Sequence, residues 1–127
     1  MKYLLDTHVI IWYFEDSPKL SRRITNLIDN PEISIYICSV SLWEIALKMN
    51  LGKLDLNLTI NELLNTIKTR DFNIIQIEDK YLKNLSNLPY IHKDPFDRMI
   101  VSSAIEENLT IITTDENIRK YTVSWVW

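Results

Sequence analysis

The chain has 127 residues, enough for one hydrophobic core and a single domain spanning residues 1–127. Hydrophobic residues at 46% and charged residues at 24% are the balance of an ordinary globular protein, which excludes a disordered or fibrous chain. The formal charge of −3 is the wrong sign for holding nucleic acid on a broad basic patch; one cysteine excludes an internal disulfide or a thiolate zinc site, and one glycine excludes Gly-rich phosphate loops.

Lys2 to Leu5 is apolar up to Asp6 and predicts a buried strand. Thr7 opens a run of Val9, Ile10, Trp12 and Tyr13, apolar nearly all round, as in an inner helix. Leu20, Ile24, Leu27 and Ile28 form the stripe of an amphipathic helix that starts near Ser21. After Pro31, the β-branched and aromatic stretch from Ile33 to Cys38 predicts a second strand. Ser41 is expected to begin the next helix, with Gly52 as its stop. Thr59 and Glu62 have capping-box spacing ahead of Leu63, Leu64 and Ile67. Phe72 to Ile77 reads as a third strand, and Asp79 to Leu88 as a short helix stopped by Pro89. Asp94-Pro95 opens a helix that runs through Glu107, because proline suits the first helical position. Leu109 to Thr113 predicts a fourth strand, Glu116 to Lys120 a helical turn, and Tyr121 to Val126 a last strand. Strands alternating with helices predict an α/β fold, a mainly parallel central sheet flanked by helices. In such sheets ligands bind beyond the carboxyl ends of the strands.

Acidic residues stand where that rule directs attention. Asp6 ends the first strand, Asp115 follows the fourth, Asp97 lies in the first turn after Asp94-Pro95, and Glu44 is expected in the first turn after Ser41. Each has a plain structural reading: Ser41 and Glu44 match a capping box, Asp94 is a helix N-cap with Asp97 favoured by the helix dipole, and Asp6 and Asp115 can cap the helices that follow them. The apolar neighbours Leu4, Leu5, Val9 and Ile10 of Asp6, and Trp43, Ile45 and Ala46 of Glu44, weigh toward burial. A buried carboxylate is costly unless paired or bound to metal. Taken together, the four acids are better explained by a metal site than by four caps. All-oxygen ligands select Mg²⁺ or Mn²⁺ over zinc.

The ordered segments Leu4-Leu5-Asp6-Thr7-His8, Ser41-Leu42-Trp43-Glu44-Ile45-Ala46, Gly52-Lys53-Leu54, His92-Lys93-Asp94-Pro95-Phe96-Asp97-Arg98 and Thr113-Thr114-Asp115 resemble a PIN domain, and more narrowly the VapC toxins of type II toxin–antitoxin systems. The resemblance runs from Met1 to Tyr121-Thr122-Val123. It implies a three-layer PIN-like domain and a Mg²⁺- or Mn²⁺-dependent endoribonuclease that cleaves tRNA or rRNA by a metal-activated water. It further implies a cognate antitoxin that blocks the site, an RNA substrate and a homodimer. Carried over by motif, Asp6 and Asp97 are the principal metal ligands, with Glu44 and Asp115 completing the catalytic set, and Asp94 is assigned first to capping.

Around this set, His92 reads either as a residue near the pocket rim or, more simply, as a neutral structural or loop histidine, and His8 as the maker of a local or buried hydrogen bond. Arg98 and Lys93 either touch RNA phosphates or, for Arg98, orient a carboxylate. Thr7 and Thr114 flank two of the acids and either bind water or phosphate there or serve as caps. Trp12 and Phe14 cannot both face one interior, so one is expected at a dimer or antitoxin contact; Trp43, Trp125 and Trp127 read as core or interface. Cys38 is expected to be a buried, inert thiol. The longest apolar run, from Val9 to Phe14, is too short to span a bilayer, and no signal peptide opens the chain, so a cytoplasmic location without membrane contact is expected. Two other functions fit less of the pattern: an RNA-processing PIN nuclease without an antitoxin, and a non-catalytic binding module whose acids are helix caps.

Overall fold

The computed structural model describes all residues, 1–127. The apolar strand β1 (Lys2–Leu5) runs straight into α1 (Thr7–Phe14). α2 (Arg22–Asp29) starts where the Ser21 hydroxyl accepts from the Ile24 amide. β2 (Ser34–Cys38) continues without a loop into α3 (Ser39–Asn50). α3 therefore begins earlier than the expected Ser41, and Ser41 is no cap: its oxygen accepts from Thr7 Oγ1 at 2.9 Å. Glu44 accordingly falls beyond the first turn of α3, which holds no acid. The helix stops at Gly52, whose φ of +70° closes the turn while its amide donates to the Met49 carbonyl.

α4 (Ile60–Thr69) carries both halves of the predicted capping box between Thr59 and Glu62. β3 (Asn73–Ile75) is shorter than the Phe72–Ile77 stretch because it lies at the sheet edge and pairs on one side only. α5 (Asp79–Asn87) precedes α6 (Pro95–Glu107), whose N-cap Asp94 accepts from the Asp97 amide at 3.0 Å. β4 (Thr110–Ile112), α7 (Glu116–Arg119) and β5 (Trp125–Val126) complete the chain. The expected last strand from Tyr121 is thus mostly irregular. Tyr121 is buried against α6 and α7 neighbours, its carbonyl accepts from Val123 in a tight turn, and only the final residues pair with β4.

The five strands lie in the order β3-β2-β1-β4-β5, all parallel. Along each inner strand, side chains alternate between two cores. Tyr3, Leu5, Ile35, Ile37 and Ile112 face a core built with α1, α2, α4 and the inner side of α3. Leu4, Cys38 and Ile111 face a second core built with α5, α6 and α7. This gives the helix–sheet–helix layering expected of an all-parallel sheet. Cys38 is buried as expected, and burial pushes its thiol pKa up. No helix is long and apolar enough to cross a membrane.

Three aromatic expectations need correction. Trp12 and Phe14 are both half-buried against the same core, which they reach by different routes: Trp12 packs edge-on to Trp127 and Phe14 to Phe72. Trp43 does not press Glu44 inward; it is 62% exposed and leans on Phe96. His8 is exposed and stacks on Trp12 rather than making a buried hydrogen bond.

Candidate functional site

From β1 the sheet extends to β2 and β3 on one side and to β4 and β5 on the other, so the carboxyl ends of β1 and β4 form its switch point. Asp6 is the first residue past β1, and its amide donates to the Ile112 carbonyl at 3.1 Å, so the ladder carries it to the end of β4. Beyond β4, the buried Thr113 donates its hydroxyl to Asp6 Oδ2 at 2.8 Å and accepts from the Asp115 amide at 2.9 Å. One threonine side chain thus ties the two strand-end aspartates together. The Thr7–Ser41 hydrogen bond fastens α1 to α3 on the other side of Asp6, and Ser41 and Glu44 share a face of α3 because they are three residues apart. Asp97 enters from the first turn of α6, fixed by Asp94 and Pro95 at the helix start.

Asp97 feels the charge of each of the other three acids. Burial pushes the Asp97 carboxyl up to about 8, and the negative charges of Asp6, Asp94, Asp115 and Glu44 add to the rise. Burial likewise raises Asp6 to about 6, opposed by the Thr113 hydrogen bond and the nearby His8 and assisted by Asp115. Asp6 is 2% exposed and Glu44 5%.

Each of the four carboxylates is held through one oxygen, and two of them, Asp6 and Glu44, leave the other buried without a partner. Asp6 Oδ2 is taken by Thr113, and Oδ1 is buried without a partner. Glu44 Oε2 meets Lys48 Nζ at 2.8 Å, and Oε1 is buried without a partner. Asp97 Oδ2 meets His92 Nε2 at 3.2 Å. Asp115 Oδ1 accepts from the Asn117 and Ile118 amides, so Asp115 caps α7 as foreseen. Asp6 also occupies a cap position, yet its side chain makes no capping bond, and Glu44 caps nothing. Two orphaned buried carboxylate oxygens are rare in a folded chain, and a cation is the kind of partner such atoms accept. An all-oxygen donor set suits a hard ion such as Mg²⁺ or Mn²⁺. As the side chains stand, no three His, Cys, Asp or Glu residues close around a common point tightly enough to hold an ion.

Thr113, Lys48 and Tyr121 are contributors that the sequence reading passed over. Lys48 had a signal, its i+4 spacing from Glu44; Thr113 had a weaker one, a hydroxyl directly after the apolar pair Ile111-Ile112. Tyr121 had none while it read as strand. His92 is a direct neighbour of Asp97 rather than a loop bystander, and Arg98 spends its guanidinium on the Pro89 and His92 carbonyls and the Tyr121 hydroxyl. Thr114 accepts from Arg119 at 3.3 Å and does not cap α7. A cleft of about 290 Å³ lies elsewhere, between α1, α2 and α4 beside Tyr13, Asp29 and Arg70.

Comparison with known proteins adds the following. The PIN domain family profile matches residues 3–123. No curated protein sequence matches the chain. Among solved structures, VapBC2 from Rickettsia felis bound to a promoter DNA fragment is similar over 99% of this chain and 98% of that one, at 20% identity and a TM-score of 0.76. DNA-bound VapBC from Salmonella typhimurium is similar over 99% and 97%, at 18% identity and a TM-score of 0.70. VapBC-1 from nontypeable Haemophilus influenzae is similar over 99% and 97%, at 18% identity and a TM-score of 0.67. At these identities the likeness is one of fold.

Proposed function

Since the chain belongs to the PIN domain family, we propose that it is a divalent-metal-dependent endoribonuclease and the toxin of a type II toxin–antitoxin pair. One observation supports the reading: Thr113 ties Asp6 to Asp115 at the sheet's switch point, Asp97 feels the charge of Asp6, Glu44 and Asp115, and Asp6 Oδ1 and Glu44 Oε1 are buried and unpartnered. A reading of the acids as helix caps accounts for Asp94 and Asp115 but leaves the burial of Asp6 and Glu44 without a reason.

In this reading the four residues hold Mg²⁺ or Mn²⁺ and form the catalytic set. When bound, the ion supplies a Lewis acid and makes a water acidic enough to attack at neutral pH. The chain's own groups prepare the place. Thr113 fixes the Asp6 carboxylate against Asp115, Lys48 holds one Glu44 oxygen, and the Thr7–Ser41 contact locks the two helices that bring Asp6 and Glu44 together. In the hydrolysis, the water oxygen bonds to phosphorus and the bond to the 3′ oxygen breaks. The 3′ oxygen leaves with a proton, giving 3′-hydroxyl and 5′-phosphate ends. With an ion held by these residues, the acidic chain would need no broad basic surface to neutralise the phosphate.

The toxin assignment draws on the VapBC complexes, which match this fold nearly end to end. A protein partner, antitoxin or second copy, suits α3, where Trp43, Leu47 and Leu51 stand exposed at four-residue spacing as an apolar stripe. Purified protein is expected to cut structured RNA with Mg²⁺ or Mn²⁺ and to stop in EDTA. Asp6→Asn or Asp97→Asn should lower cleavage about a hundredfold or more with the fold intact by circular dichroism. Unchanged cleavage in those variants would overturn the assignment. Growth arrest on expression, relieved by the adjacent gene's product, separates a toxin from a housekeeping nuclease.

A further inference from the structure

Arg98, His92 and Tyr121 are joined by contacts that the proposed reaction does not use. Arg98 Nη1 donates to the Tyr121 hydroxyl at 3.1 Å, the Tyr121 hydroxyl lies 2.8 Å from His92 Nδ1, and His92 Nε2 lies 3.2 Å from Asp97 Oδ2. Tyr121 is buried, and its ring meets the imidazole edge-on at 5.5 Å between centroids.

Donor and acceptor rules give this chain a direction. An ionised Asp97 only accepts, so a neutral His92 must carry its proton on Nε2. Nδ1 is then a bare acceptor and needs a donor, and the only one in contact is the Tyr121 O–H. Arg98 only donates, so the tyrosine oxygen receives from it and its own O–H becomes a stronger donor toward His92. The same guanidinium nitrogen also donates to the Pro89 carbonyl at 3.0 Å and the His92 carbonyl at 3.4 Å, which pins the loop that carries the imidazole.

We propose that Arg98, Tyr121 and His92 form a one-way hydrogen-bond relay that orients Asp97, holding Oδ2 so that Oδ1 points into the acidic cluster. They are positioning residues: none is a metal ligand, and Arg98 and Tyr121 act on Asp97 only through His92. The proposal rests on the reading of Asp97 as a metal ligand. Partners of this kind around a ligand change metal affinity by about 10- to 100-fold.

The test is a double-mutant cycle read by calorimetry with Mn²⁺ alone. Tyr121→Phe, which keeps the ring and its packing, should weaken Mn²⁺ binding about tenfold. His92→Ala should weaken it at least as much, and adding Tyr121→Phe to His92→Ala should then change nothing further. His92→Gln, which offers an amide donor where Nε2 stood, should recover most of the affinity. A full Tyr121→Phe effect without His92, or no effect with it, overturns the relay. A second readout needs no metal: nitrogen-15 NMR at about pH 9 should find the His92 proton on Nε2 and Nδ1 bare, and the opposite tautomer overturns the direction assigned. If the parent protein shows no saturable Mn²⁺ site, or Asp97→Asn binds as the parent does, the metal reading itself has failed, and the tautomer then decides the relay alone.

Discussion

Asp97 is acted on by more like charge than any other group whose shift is resolved, with Asp6, Asp94, Asp115 and Glu44 all raising its carboxyl on top of burial. The consequence is a stability that depends on pH. In the unfolded chain both aspartates lose their protons near the ordinary value of 3.8, whereas in the folded chain Asp6 holds its proton to about 6 and Asp97 to about 8. Between roughly pH 4 and 8 the folded state binds the extra protons, so without a divalent cation stability falls as pH rises through that window and levels off above it. Below the window both states are protonated and the penalty is absent. Thermal melts in EDTA should therefore show Tm dropping from about pH 5 to about pH 8. Asp97→Asn should raise Tm at the upper end, and Mg²⁺ should flatten the parent's profile; a parent Tm that climbs over that range in EDTA would refute the electrostatic picture. At this scale Asp6, Asp115 and Asp97 are readable from sequence because each follows a strand or a helix-starting proline, whereas Glu44 sits farther along α3 than its spacing from Ser41 suggests. Their supports are less so. The Thr113–Asp6 and Tyr121–His92 contacts join residues 107 and 29 positions apart, and no local pattern encodes such pairings.

Elements are where local signals and tertiary demands part company. Ser21, Thr59 and Asp94 act as caps where their spacing predicts, because a cap needs only the next turn to be satisfied. Ser41 departs from its pattern because Thr7 claims its hydroxyl, and α3 grows back to Ser39, directly off the end of β2. β5 shrinks because Tyr121 is drawn into the core beside His92 rather than extended along β4. α7, a single turn, depends on Asp115 both as its cap and as a member of the acidic set. The two duties separate by substitution. Asn caps about as well as Asp, so Asp115→Asn should leave urea stability nearly unchanged while weakening Mn²⁺ binding, whereas Asp115→Ala should cost about 1 kcal/mol as well. Equal stability in the two variants would remove the capping role.

Across the whole molecule, the strand periodicity sorts side chains into two cores, one on each face of a sheet buried on both sides. The α/β class and the parallel order are legible because strands and helices alternate along the chain. The placement of β1 at the centre is not, since it depends on which strands pair. Leu4 sits fully buried on that central strand, and Leu4→Ala should lower unfolding stability in urea by about 3 kcal/mol, within the range for a leucine lost from a packed core. A loss below about 1 kcal/mol would mean that the second core is loosely packed.

The first strand made is also the one that waits longest for its neighbours. β1 pairs with β2 early but with β4 only after nearly the entire chain exists, and Asp6 receives the Thr113 hydroxyl from the same late segment. During biosynthesis an unfinished polypeptide therefore carries Asp6 long before Thr113 and Asp115 exist to meet it, so the acidic cluster forms only after β4 has been made.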